Sequence, residues 1–142
     1  MPLTTSGTEV EYFIEDQLDL NGYNFETQVP ASGINKDFSK IDIVIIDDAA
    51  DSSEAISLKY QDVAGTAEEK VLYEAESLSL MCYAHNYHRG TIVLCGFGWS
   101  WVKYYWYLNV YQPPSNVRII SYDEFVREYI TVRDVNVNYA VA

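Results

Sequence analysis

Apolar positions along the chain switch between helical and strand spacing. Over residues 8–20, Val10, Phe13, Ile14 and Leu18 recur at helical intervals, and Gly22 supplies a stop. Glu11 lies one position off that apolar face. Tyr23, Phe25, Thr27 and Val29 then alternate, a strand that Pro30 is expected to end, with a loop over 31–40. Residues 41–46 form an apolar run interrupted only by Asp42, and residues 47–53 read as a turn. The return strand, 55–60, is expected to pair with it as a hairpin. Ser57, Lys59 and Gln61 share one side of it, since side chains repeat every second residue.

A helix is predicted over 68–87 from Val71, Leu72, Ala75, Leu78 and Cys82, with Thr66 as N-cap and Glu69 in capping-box position. Residues 91–95 read as a buried strand. The aromatic stretch 99–111 fits a helix or an extended segment, because its apolar residues follow neither period. Residues 117–120 predict a strand. Ser121 caps a last helix through 130, with Glu124 three residues on. Residues 131–142 alternate through Val135, Val137, Tyr139 and Val141, as an edge strand or a tail docking on a partner would. The core order α-β-β-β-α-β gives an α/β fold with a mixed sheet flanked by helices and at least one crossover.

Length and composition narrow the functional classes. The 142 residues, 49 % of them hydrophobic, fit a single domain over 1–142 with a substantial core. Residues 1–22 carry acids and lack both a basic start and a continuous apolar core, so a secretory leader is not expected. No apolar run is long enough to span a membrane. With two cysteines, Cys82 and Cys95, reduced thiols in a cytoplasmic protein are the simpler expectation. The net charge of -12, with nine Lys plus Arg, argues against a stand-alone tight binder of nucleic acid. It leaves room for a metal-neutralised cleft or a basic partner.

An acid and a lysine embedded in neighbouring apolar strands are costly unless paired, hydrogen-bonded or holding a metal. Asp42 could hold Mg²⁺ with water and phosphate oxygens completing its sphere, while Lys59 stabilises developing negative charge or orients water. The pattern resembles the PD-(D/E)xK superfamily of restriction-endonuclease-like nucleases. Asp42 matches the acid of the second core strand, Lys59 the lysine of the third, and Gln61 the glutamine two residues beyond. The opening helix, with Gly7, Glu11, Leu18 and Gly22, is similar to the family's first helix, and Glu11 matches its site-facing glutamate. The tract 65–70 resembles the lead into the helix after the lysine strand, and the resemblance covers roughly residues 7–95.

The triplet departs from the family pattern, reading Ser57, Leu58, Lys59, so its acid is absent. In the family that acid is sometimes supplied by the following helix, for which Glu68 or Glu69 are candidates, with Glu54 on the strand approach a weaker one. The resemblance implies a Mg²⁺-dependent (or Mn²⁺-dependent) DNA endonuclease that leaves a 5′-phosphate. Partners would be DNA and a second copy, or a basic or recognition subunit. The alternative is a catalytically inactive nuclease-fold subunit binding DNA or protein, and a third reading is a small acidic protein that binds a basic surface.

Plainer roles exist for each group. Asp42 could be a buried hydrogen-bonded acid, Lys59 a lysine reaching to water, and Glu68 and Glu69 acids suited to a helix N-terminus. Cys82, His85 and His88 have spacings that zinc can use but lack an evident fourth ligand. The aromatic stretch fits an interface better than base stacking, with Lys103 as its only cation. Arg118, Arg127 and Arg133 are scattered candidates for phosphate contacts, and Asp47, Asp48 and Asp51 suit a solvated turn.

Overall fold

In the computed structural model, which describes residues 7–32, 38–61 and 67–130, the first apolar stripe forms α1 (Gly7–Leu20). Val10, Ile14 and Leu18, four apart, are its buried side. The helix closes on Gly22 at φ +79°, where the Tyr23 and Gly22 amides donate to the Leu18 and Asp19 carbonyls. That pair of bonds satisfies the last turn and needs a left-handed residue, which glycine adopts without strain.

β1 (Asn24–Ser32), β2 (Phe38–Asp47) and β3 (Ser52–Tyr60) form an antiparallel meander. α2 (Ala67–His85) then crosses to β4 (Arg89–Cys95), parallel to β3. α3 (Trp101–Asn109) crosses again to β5 (Val117–Ser121), parallel to β4, and α4 (Tyr122–Tyr129) follows. The sheet order is β1-β2-β3-β4-β5. Ile43, Ile45, Ile56, Val93 and Cys95 face α1 and α4, while Val44, Ala55, Ile92 and Leu94 face α2 and α3. This is the expected α/β architecture, a mixed sheet flanked by helices, with the α-β-β-β-α-β order at its core.

Several local expectations need correction. Pro30 does not end β1, which runs on to Ser32 with Pro30 opposite Lys40. β1 is an edge strand paired only with β2, and an edge tolerates a residue without an N–H. Residues 31–32 and 38–40, expected in a loop, therefore belong to strands. α2 ends at His85 because Asn86 turns left-handed at φ +59° and the Tyr87 amide returns to the Cys82 carbonyl. Leu72, expected on the buried face of α2, is 41 % exposed. Ser121 caps α4 as expected, accepting from the Glu124 amide at 3.1 Å. The Thr66 cap and the 131–142 alternation lie outside the described residues.

Candidate active site

The site lies where β2 and β3 part. Their register ends at Ile43 opposite Ile56, and one residue further the Asp42 carboxylate accepts from the Leu58 amide at 2.8 Å. An acidic side chain thus occupies a backbone donor that the ladder has released. On the other side of Asp42, Thr27 pairs with Ile43 and Val29 with Ile41, leaving Gln28 out of the register at φ +51°. Gln28 Nε2 donates instead to Glu11 Oε2 at 2.8 Å, tying the edge strand to α1.

Ser57, in the position of the missing acid, is buried, and its hydroxyl donates to Glu74 Oε1 at 2.6 Å. The same oxygen lies 3.5 Å from Lys59 Nζ. Glu74 comes from the second turn of α2, which lies across β3, and it brings a carboxylate over the Ser-x-Lys segment. Sequence reasoning passed over it. The available signal was its position within Val71, Glu74, Ala75 and Leu78, an i, i+3, i+4, i+7 face that is otherwise apolar.

Burial raises the Asp42 carboxyl to about pKa 6, partly offset by the Leu58 N–H. Glu11 raises it further, Lys59 lowers it and Glu74 raises it, so all three charges are felt at Asp42. Glu15, one turn after Glu11 on α1, is pushed up to about 7 by burial, by its hydrogen bond with Glu11 and by the Glu11, Asp16 and Asp42 charges. Asp42, Glu74, Glu11 and Glu15 therefore surround a space where protons stand in for positive charge, with Lys59 the nearby cation. Among the described residues no group of three or more His, Cys, Asp or Glu is arranged as a ready-made metal cage. The Asp42–Glu74 pair instead suits Mg²⁺, which keeps several waters and takes one or two carboxylates plus substrate phosphate.

The remaining sequence candidates are placed elsewhere. Glu68 is buried, and its Oε2 accepts from the Ser100 hydroxyl at 2.6 Å and the Ser100 amide at 3.2 Å, at the N-terminus of α3. Glu69 is exposed. Gln61 is a buried clasp: its Nε2 donates to the Gly98 carbonyl at 2.9 Å and its Oε1 accepts from the Glu68 amide at 3.3 Å. It holds the end of β3 against the turn after β4, where Gly96 sits at φ +94° with no room for a Cβ, the Gln61 carbonyl being 2.3 Å from where one would lie.

Glu54 is five residues before Lys59, roughly 17 Å back along β3. Buried there, it accepts from the Tyr129 and Thr91 hydroxyls and pairs with Arg89 at 3.1 Å and Arg118 at 3.4 Å. Arg118 also pairs with Glu128 at 2.8 Å, so this cation serves the fold, while Arg127 is exposed and Arg133 lies outside the described residues. A cavity of about 630 Å³ opens at this far end, lined by Glu54, Arg89, His88 and Tyr129 and not by Asp42, Lys59 or Glu74. His88 Nδ1 accepts from the Ser53 amide, Cys82 is buried and His85 stacks on Tyr87, so these three do not converge.

Residues 4–128 match a family model described as the PD-(D/E)XK nuclease superfamily domain. No curated protein gives a significant match. A solved structure titled "Crystal Structure of Protein of Unknown Function AF1548" is similar at 15 % identity with a TM-score of 0.48. The match covers 80 % of this chain and 57 % of that one, so this chain spans little more than half of that protein's length.

Proposed function

The chain belongs to the PD-(D/E)XK nuclease superfamily, and from that premise we propose that it is a divalent-metal-dependent endonuclease hydrolysing phosphodiester bonds in DNA. The observation that carries this reading is the hydrogen bond from Ser57 to Glu74, which sets a carboxylate beside Lys59 where the triplet lacks one. Asp42 and Glu74 would hold Mg²⁺ or Mn²⁺, with Glu11 the additional acid facing Asp42 from α1. Such an ion, when bound, polarises the phosphoryl oxygens and lowers the pKa of coordinated water.

The chain's own residues do the rest. The Leu58 amide fixes one Asp42 oxygen and leaves the other for binding. Ser57 fixes the Glu74 rotamer, as an outer partner orients a ligand. Lys59, held in reserve by Glu74, is positioned to orient the attacking water or neutralise the pentavalent phosphorane-like charge. With 21 acids against nine Lys and Arg, sequence selection is expected to draw on a further protein surface rather than on phosphate contacts.

Calorimetry with Mg²⁺ and Mn²⁺ on the wild type, Asp42→Ala and Glu74→Ala, followed by nicking of supercoiled plasmid, tests the reading. Binding and nicking lost in both variants, with 5′-phosphate ends from the wild type, are expected. Wild-type metal binding without cleavage of any DNA would support the inactive nuclease-fold subunit instead. Cleavage that survives Glu74→Ala would remove Glu74 from the site.

A further inference from the structure

α3 carries its polar-to-apolar pattern the wrong way round for a monomer. Tyr107 is its buried anchor, whereas Trp101 and Val102 are 72 % and 76 % exposed and Tyr105, Trp106 and Val110 also face solvent. At 100° per residue these five fall on one continuous half of the helix. The surface continues onto α2. The Tyr107 hydroxyl donates to the Glu68 carbonyl, and exposed Leu72 lies one turn beyond Glu68 on the same side. At usual side-chain sizes the six exposed residues offer on the order of 650 Å², above the few hundred Å² typical of a monomer's apolar patches. A standard interface takes about 800 Å² from each partner.

Charge selects the occupant. α1 carries Glu9, Glu11, Glu15, Asp16 and Asp19, and α4 carries Asp123, Glu124 and Glu128, but α3 holds no acid and a single cation, Lys103. A nucleic acid would need cations that this face lacks. A basic partner would need acids that it also lacks. An apolar, nearly uncharged face on a chain of net charge -12 is complementary to itself: a two-fold pairing brings Trp101, Val102 and Tyr105 against their own copies and keeps the acids at the rim. We propose that the α3 face, extended by Leu72, is the contact through which two copies of this chain form a homodimer. The inference does not depend on the proposed catalytic role.

Sedimentation equilibrium of the full chain tests it. The wild type should show a concentration-dependent dimer with micromolar or tighter dissociation. Val102→Glu and Val102→Lys, which change net charge in opposite directions, should each weaken it by roughly a hundredfold, since two charges per dimer would lose their hydration. Trp101→Ser, which adds no charge, should weaken it about tenfold. Thr8→Glu on exposed α1 should leave it unchanged. These side chains are mostly in solvent, so far-ultraviolet circular dichroism should match the wild type. A monomer throughout, a dimer that survives both Val102 variants, or equal loss in Thr8→Glu would overturn the proposal. Tryptophan quenching of a monomer by a single-stranded oligonucleotide would reassign the face to nucleobases.

Discussion

Asp42 is held by one backbone amide and faces further carboxylates, so it keeps its proton up to about pH 6, and Glu15 keeps one up to about 7. Both values exceed those of the unfolded chain. The folded metal-free protein therefore binds more protons than the unfolded one between about pH 4 and 7, and stability falls as pH rises through that window. The melting temperature should be lower at pH 8 than at pH 5, and saturating Mg²⁺ should narrow the gap by replacing protons; a flat metal-free profile would contradict the cluster. Asp42→Asn keeps an acceptor for the Leu58 amide without the buried charge. It should abolish cleavage yet stabilise the metal-free protein at pH 8 by on the order of 2 kcal/mol in urea unfolding. Ser57→Ala should weaken metal binding by roughly 10–100-fold through loss of the Glu74 anchor. Ser57→Asp should restore binding in a Glu74→Ala background, and failure of that rescue would mean the two positions do not serve one ligand.

At the scale of elements, the strands carried most of the readable signal. An acid inside an apolar run marked Asp42, and alternation placed Ser57 and Lys59 on one side of β3, because both depend only on neighbours in sequence. Glu68 and Glu74 were less readable for opposite reasons. Glu68 looks like any first-turn acid, and its engagement with Ser100 depends on how α3 docks 32 residues later. Glu74 interrupts an apolar helical face, a local signal overshadowed by the acids nearer the helix start. α3 itself had no legible period, since aromatic residues occupy both its buried and its exposed side. The clasp around Gln61 joins β3, the turn after β4 and the start of α2. Gly96→Ala adds a Cβ against the Gln61 carbonyl at a left-handed residue and should cost about 1–3 kcal/mol or more in denaturant unfolding. Unchanged stability would mean that the turn can relax without disturbing the clasp.

Over the whole molecule, negative charge is the dominant long-range feature. At net charge -12 the folded chain repels itself, and salt shortens the reach of that repulsion from ~30 Å at 0.01 M to ~8 Å at 0.15 M. The metal-free melting temperature should therefore rise with NaCl over that range, and a fall would show that the Glu54–Arg89–Arg118 pairs outweigh the repulsion. No helix among the described residues is long and apolar enough to cross a membrane.

Taking the second carboxylate from α2 also has a consequence for the order of events in folding. An acid borne on β3 would stand beside Lys59 as soon as that strand formed. Glu74 arrives only when the crossover helix has closed over the strand, after the intervening chain has paid its loop-closure entropy. A half-folded chain with its hairpin made and its helix undocked holds one carboxylate and no partner for it. The ability to grip a metal is thus a late product of folding, and a chain still emerging from synthesis is chemically silent until its tertiary structure is in place.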